Sequence, residues 1–304
     1  MKEILLRVPA TIANVGPGYD IFALSLDNPF DDIRVQLNDS KKITIEITGK
    51  KDDIPVNVND NSAGLAVLEL LKRKKIKTVV KIQIIKKMPS GCGLGTSGAS
   101  AAACIFGLNK LLNLELSENE IIDISRMGEI ASGGSPHADN VAAALLGGFI
   151  LIKSYNPIEV LKLKIPEFPI VIAIMKKIQR TTRGFITYDI GEEKLKEQIA
   201  HCSTVIHAIH LKDIEEFGKA VSVDYVAEPV RGAYISNYIQ IKKKIIDAGA
   251  FGCNISGGGS SVFAVCDRKK VEKIAKLMEK YFSQNPNFIE IIKTKTSNNG
   301  VMEI

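Results

Sequence analysis

Apolar and polar residues alternate in several short segments of the first half of the chain, as half-buried β-strands require. The alternation predicts strands at 4–8, 33–37, 43–47 and 79–85. Residues 63–73 carry apolar side chains at helical spacing after a capping residue, Asn61 or Ser62. Residues 99–112 and 138–146 are apolar on nearly all sides, which predicts two buried helices.

Prolines interrupt the pattern in the middle of the chain, and longer helical patterns follow them. After Pro157 and Pro166, a continuous apolar segment predicts a buried strand at 170–175. The spacing of apolar residues then predicts helices at 192–210, 214–220, 234–248 and 270–283, and a last strand at 288–294.

The chain has 304 residues, which is long enough for two compact domains or one large one. We place the domain boundary near Tyr155, so the predicted domains are residues 1–154 and residues 155–304. Because strands and helices mix without a strict alternation, the pattern favours an α+β fold over a doubly wound parallel sheet.

Composition narrows the class of protein. Hydrophobic residues make up 45% of the chain and no apolar run approaches the roughly 20 residues that cross a bilayer. With no signal-peptide core either, we expect a cytoplasmic protein without a membrane partner. The five cysteines include no C-x-x-C pair, which disfavours a disulfide framework and a zinc site. The net charge of +6 is scattered over predicted helix faces, which favours solvated surfaces over a nucleic-acid partner.

A glycine-rich segment, Pro89-Ser-Gly-Cys-Gly-Leu-Gly-Thr-Ser-Gly-Ala-Ser, lies between a predicted strand and a predicted buried helix. Its alternating glycines let the backbone approach a ligand closely and adopt positive φ. The helix start that follows presents unpaired N–H groups and a positive dipole end, which suits a polyphosphate. The segment lacks the Lys of a P-loop, and its G-x-G-x-G spacing differs from the Rossmann fingerprint. A structural turn explains the glycine spacing equally well, but Thr96 and Ser97 at the helix start favour phosphate binding.

This segment resembles the second motif of the GHMP kinases, usually P-x-G-x-G-L-G-S-S-x-A, with Thr96 in place of the usual Ser. Residues 9–20 resemble the first motif of that superfamily and residues 249–265 resemble the third, in the expected order. The resemblance implies a two-domain α+β fold, with an N-terminal domain like domain 2 of ribosomal protein S5 and a ferredoxin-like C-terminal domain. It also implies ATP as phosphoryl donor and Mg²⁺ as cofactor.

Three segments favour one branch of the superfamily, the kinases that phosphorylate L-homoserine in threonine biosynthesis. Residues 9–20 match P-A-[TS]-x-A-N-x-G-x-G-[FY]-D, residues 128–142 resemble G-E…H-x-D-N-V-A, and residues 228–231 match E-P-x-R. Mevalonate kinases typically carry Gly-Lys where this chain has Ala10 and Thr11. A kinase for shikimate or mevalonate is the nearest alternative; an inactive ligand sensor and a nucleic-acid module are more distant ones. The sequence leaves the oligomeric state open, a homodimer included.

The resemblance carries nucleotide and metal roles onto matching positions of this chain. It implies that Glu129 holds Mg²⁺ together with Thr96 or Ser97, because Mg²⁺ prefers a few protein oxygens and completes its shell with phosphates and water. The nucleotide-binding candidates are, for adenine, Asn61 and Lys87 (or Lys86) and, for the phosphates, Pro89, Ser90, Gly91, Cys92, Gly93, Leu94, Gly95, Thr96, Ser97, Gly98 and Ala99.

Homoserine presents a carboxylate, an ammonium and a primary hydroxyl, and the resemblance implies partners for them. A guanidinium binds a carboxylate bidentately, and the candidates are Arg183 and Arg231. Gln179 stands where relatives place a Thr four residues before the Arg, so Arg180 is the alternative to Arg183. Asp20 can take the ammonium. The residues that would orient the remaining polar atoms are Asn14, His137 and Asn140.

Two routes for the proton of the substrate hydroxyl stay open. Asp139 occupies a place that resembles a catalytic base in several relatives. In a base-free route, the proton passes to phosphate while Asn140 and Arg183 assist. Phosphoryl transfer needs mainly alignment and charge stabilisation, so the chemistry is compatible with both routes.

Overall fold

The structure is a computed structural model that describes residues 2–38, 42–50, 54–176, 185–186 and 188–304. Within these residues it contains eleven β-strands and ten α-helices. The strands are β1 (Glu3–Ala13), β2 (Phe22–Asn38), β3 (Thr44–Gly49), β4 (Val79–Lys86), β5 (Phe149–Tyr155), β6 (Ile158–Leu163), β7 (Pro169–Met175), β8 (Gly252–Ile255), β9 (Val262–Val265), β10 (Phe288–Ser297) and β11 (Met302–Glu303). The α-helices are α1 (Ser62–Arg73), α2 (Thr96–Leu112), α3 (Glu118–Ser125), α4 (Ile130–Gly133), α5 (Asp139–Leu146), α6 (Glu192–Leu211), α7 (Ile214–Val221), α8 (Glu228–Gly232), α9 (Tyr238–Asp247) and α10 (Val271–Phe282). Short 3₁₀ turns occupy Arg126–Glu129 and Arg268–Lys270.

The strands form one mixed sheet, and β2 is its central element. The main path runs β11-β1-β2-β10-β7-β9-β8, while β4 and β5 also pair with β2, β3 pairs with β4, and β6 pairs with β5. The β1–β2 register shifts between Pro9 and Thr11, so that Pro9 faces Phe30 but Thr11 faces Ser25. Because of this shift, the two halves of β2 serve different neighbours: its first half pairs with β5 and β10, and its second half pairs with β4.

Helix α2 lies against β1 and is buried along most of its length, because it is built from small and apolar residues. Gly107 permits the close approach, since a Cβ there would lie 2.9 Å from the Leu6 side chain. Helices α1 and α5 flank α2. The start of α1 is fixed by Asn61, whose side-chain oxygen accepts hydrogen bonds from the backbone N–H groups of Ala63 and Gly64.

Three clusters of buried apolar side chains stabilise the molecule. One lies between the N-terminal strands and α1, α2, α3 and α5, and one lies between β7, β8, β9, α9 and α10. The middle cluster draws on both halves of the sequence, from Ile12 and Phe22 to Phe217 and Phe263. None of the described helices combines the length and the apolar character needed to cross a membrane.

The two-domain α+β architecture agrees with the sequence-based prediction, and the differences are local. The predicted helix at 234–248 begins only at Tyr238, because Asn237 adopts a left-handed conformation with φ 57°. The strands β5 and β6 are additional to the prediction; Pro157, which suggested an interruption, lies in the turn between them. The predicted boundary near Tyr155 falls at the end of β5, and the division at that residue stays a prediction.

Candidate active site

The glycine loop and the start of α2 form a concave backbone surface. Gly91, Gly93 and Gly95 all have positive φ, between 65° and 79°. A Cβ on Gly95 would lie 2.0 Å from Thr11 Oγ1, and one on Gly93 would lie 2.3 Å from the Ser256 carbonyl oxygen. Gly95 is also the N-cap of α2, so no side chain caps this helix. The first N–H groups of α2 therefore point at the loop, which is the arrangement that binds anions.

A cavity of about 490 Å³ opens over this loop. It is bordered by the end of β1, by the segment before α1, by the 3₁₀ turn and α4, by the start of α5, and by residues of the C-terminal half. The sequence-predicted residues that line it are Asn14, Asp20, Asn61, Ser90, Gly91, Cys92, Gly93, Leu94, Gly95, Thr96, Ser97, Glu129, His137, Asp139, Asn140 and Arg231.

The turn after β1 is held in a strained conformation at the edge of this cavity. Asn14 and Val15 have φ values of 67° and 46°, a region that β-branched residues rarely adopt. The Asn14 side chain accepts a hydrogen bond from the Asp20 N–H at 3.1 Å and donates one to the Gly257 carbonyl at 3.3 Å. The Gly257 N–H in turn donates to the Ala13 carbonyl at 3.1 Å. These contacts compensate the strain and fix the position of Asp20.

The third glycine segment, residues 249–265, connects the glycine loop to Asn14 and Arg231. Ser256 Oγ donates to the Gly93 carbonyl at 2.6 Å. The Gly257 carbonyl accepts a hydrogen bond from Arg231 Nη1 at 2.8 Å, in addition to the one from Asn14. The three motifs that are far apart in the sequence therefore meet at Gly257.

The side of the cavity that Asp20 and Arg231 line carries charges of both signs. His137 Nδ1 lies 3.8 Å from Asp20 Oδ1, and both side chains are about one-fifth exposed. The buried guanidinium of Arg231 lies over the Tyr19 ring, 5.3 Å from its centroid. A carboxylate and a guanidinium in one cavity match a ligand that bears an ammonium and a carboxylate.

Asn140 has a fixed orientation at the centre of the site. Thr11 Oγ1 donates to Asn140 Oδ1 at 2.7 Å, so the Nδ2 donor is the amide atom left for a ligand. The N–H of Asn140 donates to Asp139 Oδ1 at 2.8 Å. Asn140 and Asp139 thus form the first turn of α5 as one locally bonded unit.

Two buried carboxyl groups face the cavity near the glycine loop. Glu129 and Asp139 are 8% and 3% exposed. Burial is the main reason that the pKa of Glu129 rises to about 8; the charge of Asp139 raises it further, and a hydrogen bond from Ser132 lowers it. The hydroxyl residues Thr96 and Ser97 line the same cavity as these two carboxyl groups. These oxygens fit Mg²⁺, which takes few protein ligands, and the described residues contain no group of three or more His, Cys, Asp or Glu that would suit another kind of metal site.

Some predicted residues lie elsewhere. Lys87 is outside the cavity lining, because its ammonium pairs with Asp32 at 2.6 Å. Lys86, the alternative, does line the cavity and is buried against Asp31. The residues of the predicted nucleotide loop that do not line the cavity are Pro89, Gly98 and Ala99. The predicted Arg183 and its alternative Arg180 lie outside the described residues.

Several residues that line or support the cavity were not among the predicted site residues. Thr11 and Gly257 were inside recognised motifs, but their contacts depend on tertiary structure. Asp31 fixes the entry to the glycine loop, because its carboxylate accepts from the N–H groups of Lys87 and Met88 at 2.7 and 2.9 Å. The further lining residues outside the prediction include Ile54, Pro55, Ser132, Lys176, Gly258, Gly259 and Ile289.

Comparison with known proteins identifies the protein family to which the chain belongs. Residues 62–148 match the family described as GHMP kinases N terminal domain, and residues 205–284 match GHMP kinases C terminal. The chain belongs to the GHMP kinases. Within that family it is similar to the homoserine kinase of Methanococcus vannielii, with 34% identity over 93% of this chain and 94% of the relative. The homoserine kinase of Methanococcus maripaludis is 35% identical over the same shares of both chains.

A solved structure agrees with these relatives. The crystal structure of homoserine kinase from Cytophaga hutchinsonii superposes with a TM-score of 0.89 and 31% identity, covering 100% of this chain and 98% of that one. The sequence-based resemblance to the homoserine kinase branch is therefore confirmed.

Proposed function

We propose that this protein transfers the γ-phosphoryl group of ATP to the hydroxyl of L-homoserine and forms O-phospho-L-homoserine, a step of threonine biosynthesis. The observation that carries the proposal is one cavity that joins an uncapped helix start with a glycine loop to the charged groups of Asp20 and Arg231. The first part suits a triphosphate, and the second suits a free amino acid. The similarity to homoserine kinases over nearly the whole chain supports the same substrate.

The nucleotide would bind with its phosphates on the loop from Gly91 to Thr96 and on the first N–H groups of α2. Glu129 and the hydroxyl of Thr96 would hold Mg²⁺, with Ser97 as the alternative hydroxyl. When bound, Mg²⁺ neutralises charge on the transferring phosphoryl group. Asn61 and Lys86 border the cavity beyond the loop and are the candidates for contacts to adenine.

The amino acid would bind between Asp20 and Arg231. Asp20 would accept hydrogen bonds from the ammonium, and Arg231 would bind the carboxylate as a charge-assisted pair. His137 and Asn14 orient Asp20, since one faces its carboxylate and the other accepts from its N–H. This placement directs the side-chain hydroxyl toward the phosphate loop, where alignment supplies much of the rate.

Asn140 would contact the reacting oxygens through Nδ2, because Thr11 occupies its carbonyl. For the hydroxyl proton, the base route through Asp139 and the base-free route are separated by one substitution. Asp139→Asn should lower kcat by at least about 10²-fold if Asp139 is the base, since general-base catalysis has at least that effect. A loss smaller than about tenfold leaves only the base-free route.

The proposal is tested by ADP release coupled to a reporter reaction, with L-homoserine, shikimate and mevalonate as acceptors and phosphorus NMR of the product. We expect turnover with L-homoserine and a phosphomonoester signal from its hydroxyl. Equal or better turnover of shikimate or mevalonate would reject homoserine as the substrate. ATP binding without turnover of any alcohol would instead indicate an inactive ligand sensor.

A cytoplasmic location is part of the proposal. All five cysteines are free, and four of them are buried, which suits a reducing compartment.

A further inference from the structure

A cluster of polar side chains on α8, the helix that carries Arg231, and on α9 does not line the cavity. Glu228, the first residue of α8, is buried, and its Oε1 accepts hydrogen bonds from the Tyr238 hydroxyl at 2.5 Å and from the Lys242 ammonium. The same ammonium donates to the Ser222 carbonyl at 2.6 Å. The Glu228 cluster (Glu228, Tyr238 and Lys242) therefore ties α8 to α9 and to the end of α7.

Helix α8 depends on such anchors because it has only five residues. A helix of this length is not stable by itself. Asp224 supports its start, since the Asp224 carboxylate accepts from the N–H groups of Val226, Ala227 and Glu228 at 2.8 to 3.1 Å. The Glu228 cluster supports the same turn through the side chain of Glu228.

The Glu228 cluster is also linked, through Ser222 and β8, to the segment whose carbonyl holds the Arg231 guanidinium. Ser222, whose carbonyl accepts from Lys242, accepts through Oγ a hydrogen bond from the Cys253 N–H at 2.8 Å. Cys253 lies in β8, the strand that leads to Gly257. The Gly257 carbonyl is the acceptor that holds Arg231 Nη1. Helix α8, through Lys242, and the strand that leads to Gly257, through Cys253, are thus both held by Ser222.

Burial of a carboxylate opposes its ionisation. A contribution to stability therefore does not explain by itself why Glu228 is buried in this cluster. Burial is the main cause of the raised pKa of Glu228, and the charge of Lys242 is the main opposing effect. Buried ion pairs of this kind often add little to stability, and their best-attested effect is to select one arrangement of neighbouring elements. Here the neighbouring element carries the arginine of the substrate side.

We propose that Glu228 is a positioning residue for Arg231: held by Tyr238 and Lys242, it sets the place where the guanidinium meets the substrate carboxylate. The inference rests on the proposed function, because it assigns Arg231 to the carboxylate of the amino acid. It predicts that damage to the Glu228 cluster changes affinity for the amino acid and leaves nucleotide use intact.

A double-mutant cycle on the full chain tests this, with KM for L-homoserine, KM for ATP and kcat as readouts. Arg231→Met should raise KM for L-homoserine by about 10²-fold, the effect of losing a charged hydrogen-bonding partner. Glu228→Gln and Lys242→Met should each raise it about 5- to 20-fold, with KM for ATP and kcat within about 3-fold of wild type. In the Arg231→Met background, Glu228→Gln should add less than about 2-fold, because the residue it positions is gone.

Lys243→Met is the matched control, since Lys243 is the exposed neighbour of Lys242 on the same helix. It should leave all three constants unchanged. If Glu228→Gln does not fold, Tyr238→Phe removes a single hydrogen bond from the Glu228 cluster and should show the same selective rise, about 2- to 5-fold.

Two results would overturn the inference. One is a parallel loss for ATP and L-homoserine, and the other is full additivity of Glu228→Gln and Arg231→Met; both would mean that Glu228 only stabilises the fold. Failure of the wild-type protein to phosphorylate L-homoserine is a separate outcome, because it removes the proposed function before any variant is compared.

Discussion

The cavity has two ends, the proposed nucleotide end at the glycine loop and the proposed amino-acid end at Asp20 and Arg231. These ends are built from different parts of the polypeptide. At the nucleotide end, backbone N–H groups of the loop from Gly91 to Gly95 and of α2 form the surface. At the amino-acid end, the side chains of Asp20, His137 and Arg231 converge from three distant segments. A surface made of backbone groups loses its ability to bind a ligand when an added Cβ blocks it. A surface made of charged side chains loses that ability when one functional group is removed. The two ends should therefore respond to different substitutions and through different kinetic constants.

The largest effect is expected from Gly95→Ala. A Cβ at this position would lie 2.0 Å from Thr11 Oγ1 and 2.5 Å from Asn140 Oδ1, on a backbone with φ 65°. We expect kcat/KM for ATP to fall by at least about 10²-fold, because displacement of reacting groups by about 1 Å has an effect of that size. Steady-state kinetics with varied ATP measures it.

Gly91→Ala is the matched comparison at the same end. Gly91 has the same φ of 65°, but a Cβ there meets no atom within 4 Å. The kcat/KM of Gly91→Ala for ATP should fall by less than about tenfold, because the substitution introduces backbone strain alone. If both substitutions cause equal losses, the conformation of the loop, and not its packing against Thr11 and Asn140, is what the site requires.

A smaller effect is expected at the amino-acid end from Asp20→Asn. Removal of the charge should raise KM for L-homoserine about 10- to 50-fold, the range for a charged hydrogen bond, and should change KM for ATP by less than about 3-fold. Asp27→Asn, an exposed carboxyl of β2, is the control. Equal changes in both Michaelis constants would contradict the separation of the two ends.

The substitution Glu129→Gln tests the effect of burying this acid near the glycine loop, and the free energy of unfolding is the quantity measured. Because burial and Asp139 raise the pKa of Glu129 to about 8, its ionisation lowers the free energy of unfolding as pH rises from about 4.5 to about 8. Without Mg²⁺ and ATP, the variant should be more stable than wild type at pH 8 by about 1–3 kcal/mol and should be close to it at pH 5. Thermal unfolding at both pH values measures the difference in stability between the variant and wild type. A difference that does not change with pH would contradict the raised pKa of Glu129.

The smallest effect is expected from Thr11→Val, which keeps the shape of a fully buried side chain and removes its hydroxyl. Without the hydrogen bond at 2.7 Å, the Asn140 amide loses its fixed orientation. We expect kcat to fall about 3- to 10-fold, the range for one neutral hydrogen bond, with little change in either Michaelis constant. An unchanged kcat would show that Asn140 is oriented by other contacts.

The nucleotide end could be predicted from the sequence because its signals are local. Glycine spacing, the helix start and the hydroxyls of Thr96 and Ser97 lie within a few residues of one another, and the structure brings them to one surface. Lys87, which was chosen over Lys86, does not line the cavity, and a contact of either residue with adenine stays a prediction. Alternation offered a signal for Lys86, because Ile82, Ile84 and Lys86 share the buried face of β4. A lysine is buried there because Asp31 pairs with it, and that pairing joins residues 55 positions apart.

The amino-acid end could be predicted only by resemblance. Nothing in local sequence indicates that Asn14, Arg231 and Gly257 meet, because their contacts follow from the pairing of strands far apart in the chain. The same limit applies to the Glu228 cluster: the E-P-x-R pattern points to the arginine, but Tyr238 and Lys242 come from the next helix.

The peptide at Gly257 has a consequence for how the protein is made. Its N–H bonds to Ala13 and its carbonyl to Asn14 and Arg231, so it joins residues 243 positions apart. A nascent chain that has not yet reached Gly257 lacks these three hydrogen bonds, which fix the turn after β1 and Arg231. The contacts of Asn14 and Arg231 at the amino-acid end therefore cannot be complete until residue 257 has been synthesised, and the contact of Ser256 with the glycine loop depends on the same late segment.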